Sequence, residues 1–179
     1  MPESKMLIVT GEIGSGKSTF CELVIDQARQ TGLRVTGLLS PAVFEGQEKT
    51  GIRVVDLGRG ASRRLAWLRS GQVRAVETKR WSFDPAAVAW GNRVLSRAVP
   101  TDLLVIDELG PLEFERGEGW MNGLRILDEG EYRAALVVIR PSLVSEAQSR
   151  WPGAEVLSVV PGDDLQNKAR RALERLFSD

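Results

Sequence analysis

The sequence predicts an α/β fold in which a mostly parallel β-sheet is flanked by helices and carries a small antiparallel extension. Apolar runs typical of buried strands alternate with segments of helical spacing. Within the run at 101–107, residues 103–106 are continuously apolar before the final aspartate, which indicates burial on both faces, as in a parallel sheet. Residues 42–68 contain short β runs separated by glycine turns, which favours hairpins. We expect one domain over 1–179, with 42–68 as an inserted antiparallel part.

The first half of the chain begins with a strand and a helix. The apolar run at 6–10 predicts the strand, and apolar residues at helical spacing after Lys17 predict a helix that ends at Thr31-Gly32. A second strand is expected at 34–39. Because a helix connects these two strands, they should be parallel. The polar stretch 69–80 has little periodicity and is expected to be a loop.

The second half continues the alternation of helices and strands. Asp84-Pro85 predicts a helix start, with a capping carboxylate and a proline in the first turn, and Val99-Pro100 ends that helix. The remaining expected elements are a strand at 101–107, a helix at 120–127, a strand at 134–139, a short helix at 142–150, a strand at 155–159 and an amphipathic closing helix at 163–177.

Composition narrows the classes of function. Lys plus Arg and Asp plus Glu both total 24, so no overall charge indicates nucleic acid or a membrane surface as a partner. The chain has no histidine, which excludes imidazole acid–base chemistry and His-containing zinc sites. Its one cysteine, Cys21, is expected to be a small buried residue of the first helix. No leader-like segment or membrane-length apolar run is found, so a cytoplasmic protein is expected.

A phosphate-binding loop is predicted between the first strand and the first helix. The spacing of a glycine, four residues and then Gly-Lys-Ser is typical of loops whose backbone N–H groups surround a nucleoside triphosphate, with the positive end of the helix dipole beside it. Lys17 should reach the β- and γ-phosphates, and the Ser18 hydroxyl should bind the Mg²⁺ that bridges them. The predicted phosphate-binding residues are Gly11, Glu12, Ile13, Gly14, Ser15, Gly16, Lys17, Ser18 and Thr19.

The second half of the site is expected where the strand at 101–107 ends. That strand brings Asp107 to the carboxyl edge of the sheet, where ligands of open α/β folds bind, so Asp107 should hold Mg²⁺ together with Ser18. Glu108 is a candidate base that aligns a water with the γ-phosphate. Arg140 follows another buried strand, which is expected to lie beside the loop strand, so it could stabilise charge on the γ-phosphate, or could simply cap the strand end at the surface. We expect the loop strand and the acid-bearing strand to be adjacent.

Three segments together resemble the small P-loop nucleoside-triphosphatase family of the thermophile and cancer-related type. They are 11–19, 51–57 and 105–113, and the Asp-Glu-Leu-Gly-Pro-Leu-Glu sequence within the last is the most specific. The resemblance runs from about Lys5 to Val159. It implies a RecA-like core, slow Mg²⁺-dependent hydrolysis of several nucleoside triphosphates, ATP among them, and the roles given above to the lysine, serine and acid pair. The chain departs from the family at Glu12-Ile13, where proline is frequent, and in the basic pair after the strand at 134–139.

The primary hypothesis is therefore a nucleoside-triphosphate hydrolase, and two alternatives stay open. One is a kinase in which Glu108 activates a substrate hydroxyl instead of water. The other is a nucleotide-dependent binding module, in which the stretch 69–80 lies across the nucleotide and becomes ordered on the γ-phosphate. Glu113, Glu115 and Arg116 are expected to form a solvated loop rather than a second metal site.

Overall fold

A mixed ten-stranded sheet forms the centre of the computed structural model, which describes residues 5–68, 76–77 and 81–178. The strands are β1 (Lys5–Thr10), β2 (Val35–Leu39), β3 (Ala42–Glu45), β4 (Glu48–Asp56), β5 (Ser62–Leu68), β6 (Val76–Glu77), β7 (Trp81–Phe83), β8 (Thr101–Leu109), β9 (Tyr132–Ile139) and β10 (Glu155–Ser158). The helices are α1 (Lys17–Gln30), α2 (Pro85–Leu95), α3 (Pro111–Phe114), α4 (Met121–Glu129), α5 (Val144–Arg150) and α6 (Leu165–Phe177), and a 3-10 turn (Pro141–Leu143) precedes α5.

The sheet has a parallel part, which the helices flank, and an antiparallel part at one side. In the parallel part the strand order is β10-β1-β9-β8-β2. The sheet then continues through β4, β5, β7 and β6, each antiparallel to its neighbour, and β3 also pairs with β4. The predicted α/β class, with a mostly parallel sheet and a small antiparallel part, is confirmed.

Helices cover both faces of the parallel part. Helices α1 and α6 pack on one face, where α1 buries Phe20, Cys21 and Val24, which lie on one side of a 3.6-residue repeat. Burial raises the pKa of the Cys21 thiol well above its ordinary value. Helices α2, α4 and α5 pack on the other face around the fully buried Leu104 and Ile106 of β8. Among the described helices, none has both the length and the apolar character to cross a membrane.

The structure differs from the sequence prediction at three places. The antiparallel part continues beyond residue 68, through β6 and β7. Of the loop expected at 69–80, residues 76–77 form β6, and the others lie outside the described residues. Strand β8 extends to Leu109, so Glu108, which was expected just after the strand, lies within it, because pairing with β9 resumes at Ile139 after an irregularity.

Candidate nucleotide-binding site

The predicted phosphate loop connects β1 to α1. Within it, the Ser15 amide donates to the Glu12 carbonyl at 3.1 Å. Gly11 has a φ of +154°, and a Cβ atom at this position would lie 2.3 Å from the Val159 carbonyl oxygen. Gly16, with a φ of +99°, is the N-cap residue that directly precedes α1. The loop conformation therefore requires glycine at both positions, and it directs the amino end of α1 toward the loop.

Lys17 folds back over the loop that precedes it. Its Nζ donates to the carbonyl oxygens of Gly11 at 2.7 Å and Glu12 at 2.8 Å, which holds the ammonium group at the loop. Ile13 is 85% exposed, and Glu12, Gly14 and Thr19 are exposed as well. The Ser15 hydroxyl is buried and has no hydrogen-bond partner among the described residues, so it is a polar group available to a ligand.

The loop and β8 meet through Ser18 and Asp107. The Ser18 hydroxyl donates to Asp107 Oδ2 at 3.1 Å, although 89 positions separate the two residues in the chain. Asp107 is 4% exposed, and burial, with the neighbouring charge of Glu108, raises its pKa to about 7 even though Ser18, Ser40 and Lys17 favour its ionised form. The strand before Arg140, β9, lies beside the loop strand β1 as predicted. The expectation that β1 and the acid-bearing strand β8 are adjacent was wrong, since β9 lies between them.

Ser40 is a residue of this site that sequence reasoning missed. Its backbone amide donates to Asp107 Oδ2 at 3.3 Å, and its buried hydroxyl has no partner among the described residues. Ser40 directly follows β2, which is parallel to β8, so both strands end at the same edge of the sheet. In the sequence, this position after a predicted strand was the available sign that Ser40 lies near Asp107.

The Ser18 hydroxyl oxygen and the Asp107 carboxylate therefore lie together, with the Ser40 amide beside them, and oxygen is the donor that Mg²⁺ prefers. The described part of the chain has no group of three or more His, Cys, Asp or Glu side chains that could hold a metal ion alone. This donor set fits Mg²⁺ as an ion that also takes ligands from phosphate and water, as Mg²⁺ usually does.

Glu108 and Arg140 also come together. Arg140 Nε donates to Glu108 Oε1 at 3.0 Å, and the two side chains are 44% and 35% exposed, in that order. The pairing of Leu109 with Ile139 aligns the ends of β8 and β9, which brings these neighbours into contact. The peptide bond between Asp107 and Glu108 is cis. The sequence predicted both residues at this edge, but it did not predict their ion pair.

Glu113 was wrongly expected to be solvated. It is 6% exposed and accepts hydrogen bonds from the backbone amides of Gly110 at 2.8 Å and Trp120 at 2.7 Å. Burial raises its pKa to about 7, despite these two donors. The bond back to Gly110, three residues earlier, is half of a capping box, so this spacing at the start of α3 was a signal that could have predicted it.

The chain matches the family model described as NTPase over residues 6–160. One curated relative is the nucleoside-triphosphatase THEP1 from Ignicoccus hospitalis, which is 35% identical over 61% of this chain and 61% of that protein. Another is the nucleoside-triphosphatase THEP1 from Pyrococcus abyssi, which is 33% identical over 62% of this chain and 61% of that protein. The matched part of this chain therefore spans about three fifths of these relatives' length.

Two solved structures share the fold. The solution structure of a human cancer-related nucleoside triphosphatase has a TM-score of 0.75 and 19% identity, with 98% of this chain and 99% of that chain covered. The crystal structure of THEP1 from Aquifex aeolicus has a TM-score of 0.67 and 22% identity, with 95% and 99% covered. At these identities the likeness shows the fold alone. Since the family model spans most of the sequence, the resemblance inferred from the motifs is confirmed, and the chain belongs to the NTPase family.

Proposed function

We propose that this protein hydrolyses nucleoside triphosphates to diphosphate and phosphate in a Mg²⁺-dependent reaction that is slow and tolerant of the base. The observation that carries the proposal is the 3.1 Å hydrogen bond between the Ser18 hydroxyl and Asp107. It lies beside the loop, where the Lys17 ammonium group is already held by the Gly11 carbonyl. The names of the curated relatives, nucleoside-triphosphatase, support the same reaction class.

Substrate binding uses the loop and Lys17. The backbone N–H groups of the loop and the amino end of α1 bind phosphate oxygens, and the Lys17 ammonium exchanges its bonds to the Gly11 and Glu12 carbonyls for β- and γ-phosphate oxygens. Ser18 and Asp107 would hold Mg²⁺, with Ser40 beside them. When bound, the ion supplies positive charge to the β- and γ-phosphate oxygens.

Glu108 and Arg140 act on the reacting end of the substrate. Because Arg140 engages Glu108 Oε1, the other carboxylate oxygen remains to accept a proton from water. The water oxygen bonds to the γ-phosphorus, the bond from that phosphorus to the bridging oxygen breaks, and the diphosphate leaves with the electron pair. The Arg140 guanidinium stabilises the charge on the γ-phosphoryl group during this transfer.

The test is the substitution Glu108→Gln, with phosphate release measured on a panel of nucleoside triphosphates with and without Mg²⁺. Removing the base should lower turnover by roughly 10²–10⁴-fold while nucleotide binding persists. Phosphate released without any added acceptor separates hydrolysis from kinase activity.

Glu174→Gln is the matched control, because it removes the same charge from an exposed ion pair with Arg170 near the far end of α6. Its turnover should match that of the unchanged protein. If Glu108→Gln also retained full turnover, Glu108 would have no part in the chemistry.

A further inference from the structure

A cavity of about 220 Å³ lies away from the phosphate loop. Three arginines from separate segments line it: Arg34 immediately before β2, Arg59 in the turn after β4, and Arg97 just after α2. The phosphate loop and Asp107 lie at the carboxyl ends of the parallel strands, whereas Arg34 lies at the amino end of β2. The cavity is therefore separate from the proposed hydrolytic site.

The charges around this cavity are unbalanced. Its lining has three guanidinium groups and a single carboxylate, that of Asp56. Asp56 Oδ2 is 3.8 Å from the Arg97 guanidinium, which is an ion pair but too long for a hydrogen bond. With the described residues, the guanidinium groups of Arg34 and Arg59 make no hydrogen bond and no ion pair within 4 Å. Asp102 lies near Arg34, since its Oδ2 accepts from the Arg34 backbone amide at 2.9 Å, but its carboxylate is already paired with Arg133 at 3.0 Å. Both the Arg34 and the Arg59 guanidinium groups therefore keep their hydrogen-bond donors free of partners among the described residues.

The backbone around the cavity is held in place before any ligand arrives. Asp56 Oδ1 accepts from the amides of Gly58 at 2.9 Å and Arg59 at 3.2 Å, which fixes the turn that carries the Arg59 side chain. On the other side of this turn, the Arg29 guanidinium donates to the Leu57 carbonyl at 2.8 Å. Ligand binding would therefore lose little backbone conformational entropy at this site.

We propose that this cavity binds a phosphate group, either as inorganic phosphate or as part of a small phosphate ester. Guanidinium groups bind phosphate through paired, charge-assisted hydrogen bonds, and Arg34 and Arg59 have all their guanidinium donors available for this. The volume of 220 Å³ is below the roughly 300–1,000 Å³ of pockets that enclose a drug-sized ligand, which favours a ligand smaller than a nucleotide. Asp56 Oδ2 lies beside the cavity and would accept a hydrogen bond from a hydroxyl group of a phosphate ester.

The test is an amide NMR titration of the whole chain without Mg²⁺, using inorganic phosphate, glycerol phosphate and glycerol. Both phosphates should produce saturable shifts at Gly37, Gly58 and Arg59, and neutral glycerol should not. Tighter binding of glycerol phosphate would identify an ester as the ligand, and equal or tighter binding of inorganic phosphate would identify the free ion. Shifts at Gly11 and Lys17 report phosphate bound at the loop instead.

Arg34→Gln and Arg59→Gln should each weaken the binding at the cavity about tenfold, because each removes a charge-assisted contact. They should leave the loop shifts unchanged, so this test is independent of the hydrolysis proposed above. Arg125→Gln is the control, an equal charge change at an exposed ion pair on α4. The proposal fails if phosphate shifts only the loop amides, or if Arg125→Gln weakens binding at the cavity as much as the other two substitutions.

Discussion

The buried carboxyl of Glu113 should make the stability of this protein fall as the pH rises. The unfolded chain releases the Glu113 proton near the ordinary pKa of 4.5, whereas the folded chain retains it until about pH 7. Between these values the folded state binds more protons than the unfolded state, so the free energy of unfolding falls with rising pH. At about 1.4 kcal/mol per pH unit, the total loss is about 3 kcal/mol, and it is complete above the folded pKa.

The substitution Glu113→Gln isolates this effect. Glutamine carries no charge at any pH, but it has one carbonyl oxygen where Glu113 uses two oxygens to accept from Gly110 and Trp120. The lost acceptor should cost about 1–3 kcal/mol at every pH. The variant should therefore be less stable than the unchanged protein at pH 5, and about as stable or more stable at pH 8. Asp107, whose pKa is also about 7, is present in both proteins and cancels from the comparison.

Urea titrations followed by tryptophan fluorescence at pH 5 and pH 8, without Mg²⁺, measure the difference. Glu115→Gln is the control, since it makes the same change at an exposed position two residues away. An equal difference between the Glu113→Gln variant and the unchanged protein at both pH values would refute the raised pKa. A difference that changes in the opposite direction would mean that the two amide donors outweigh burial.

Two further predictions concern catalysis and folding. Arg140→Gln should lower kcat by roughly 10²-fold with little change in KM. The kcat of Arg140→Lys should lie between those of Arg140→Gln and the unchanged protein, because lysine keeps the charge but not the planar guanidinium group. Steady-state kinetics measure both values, and an unchanged kcat in both variants would exclude Arg140 from the transition state. Gly37→Ala should destabilise the protein by about 3 kcal/mol or more in urea, because its Cβ atom would lie 2.0 Å from the Val105 carbonyl oxygen. Gly32→Ala, with a φ of +80° and nothing within 4 Å of the added atom, should cost only about 1 kcal/mol, and equal losses would contradict the clash at Gly37.

Much of this architecture could be predicted from local patterns. The phosphate loop was found because its glycines, lysine and serine are neighbours in the chain and lie between an apolar run and a helical repeat. The apolar strand leading to Asp107 was found for the same reason, since burial on both faces leaves a continuous apolar run. The pattern was less informative in the antiparallel part, where the sheet beyond β5 depends on pairing with β7 and not on any local motif.

The sequence by itself determined that a triphosphate-type loop precedes a helix and that an acid pair follows a buried apolar run, because both depend on residues a few positions apart. Only the tertiary structure decided that β9 separates those strands, that Ser40 joins Ser18 at Asp107, and that Arg140 pairs with Glu108. The meeting of three arginines at one cavity was decided in the same way. These contacts join segments far apart in the chain, and such contacts depend on strand order and packing, which no local spacing encodes.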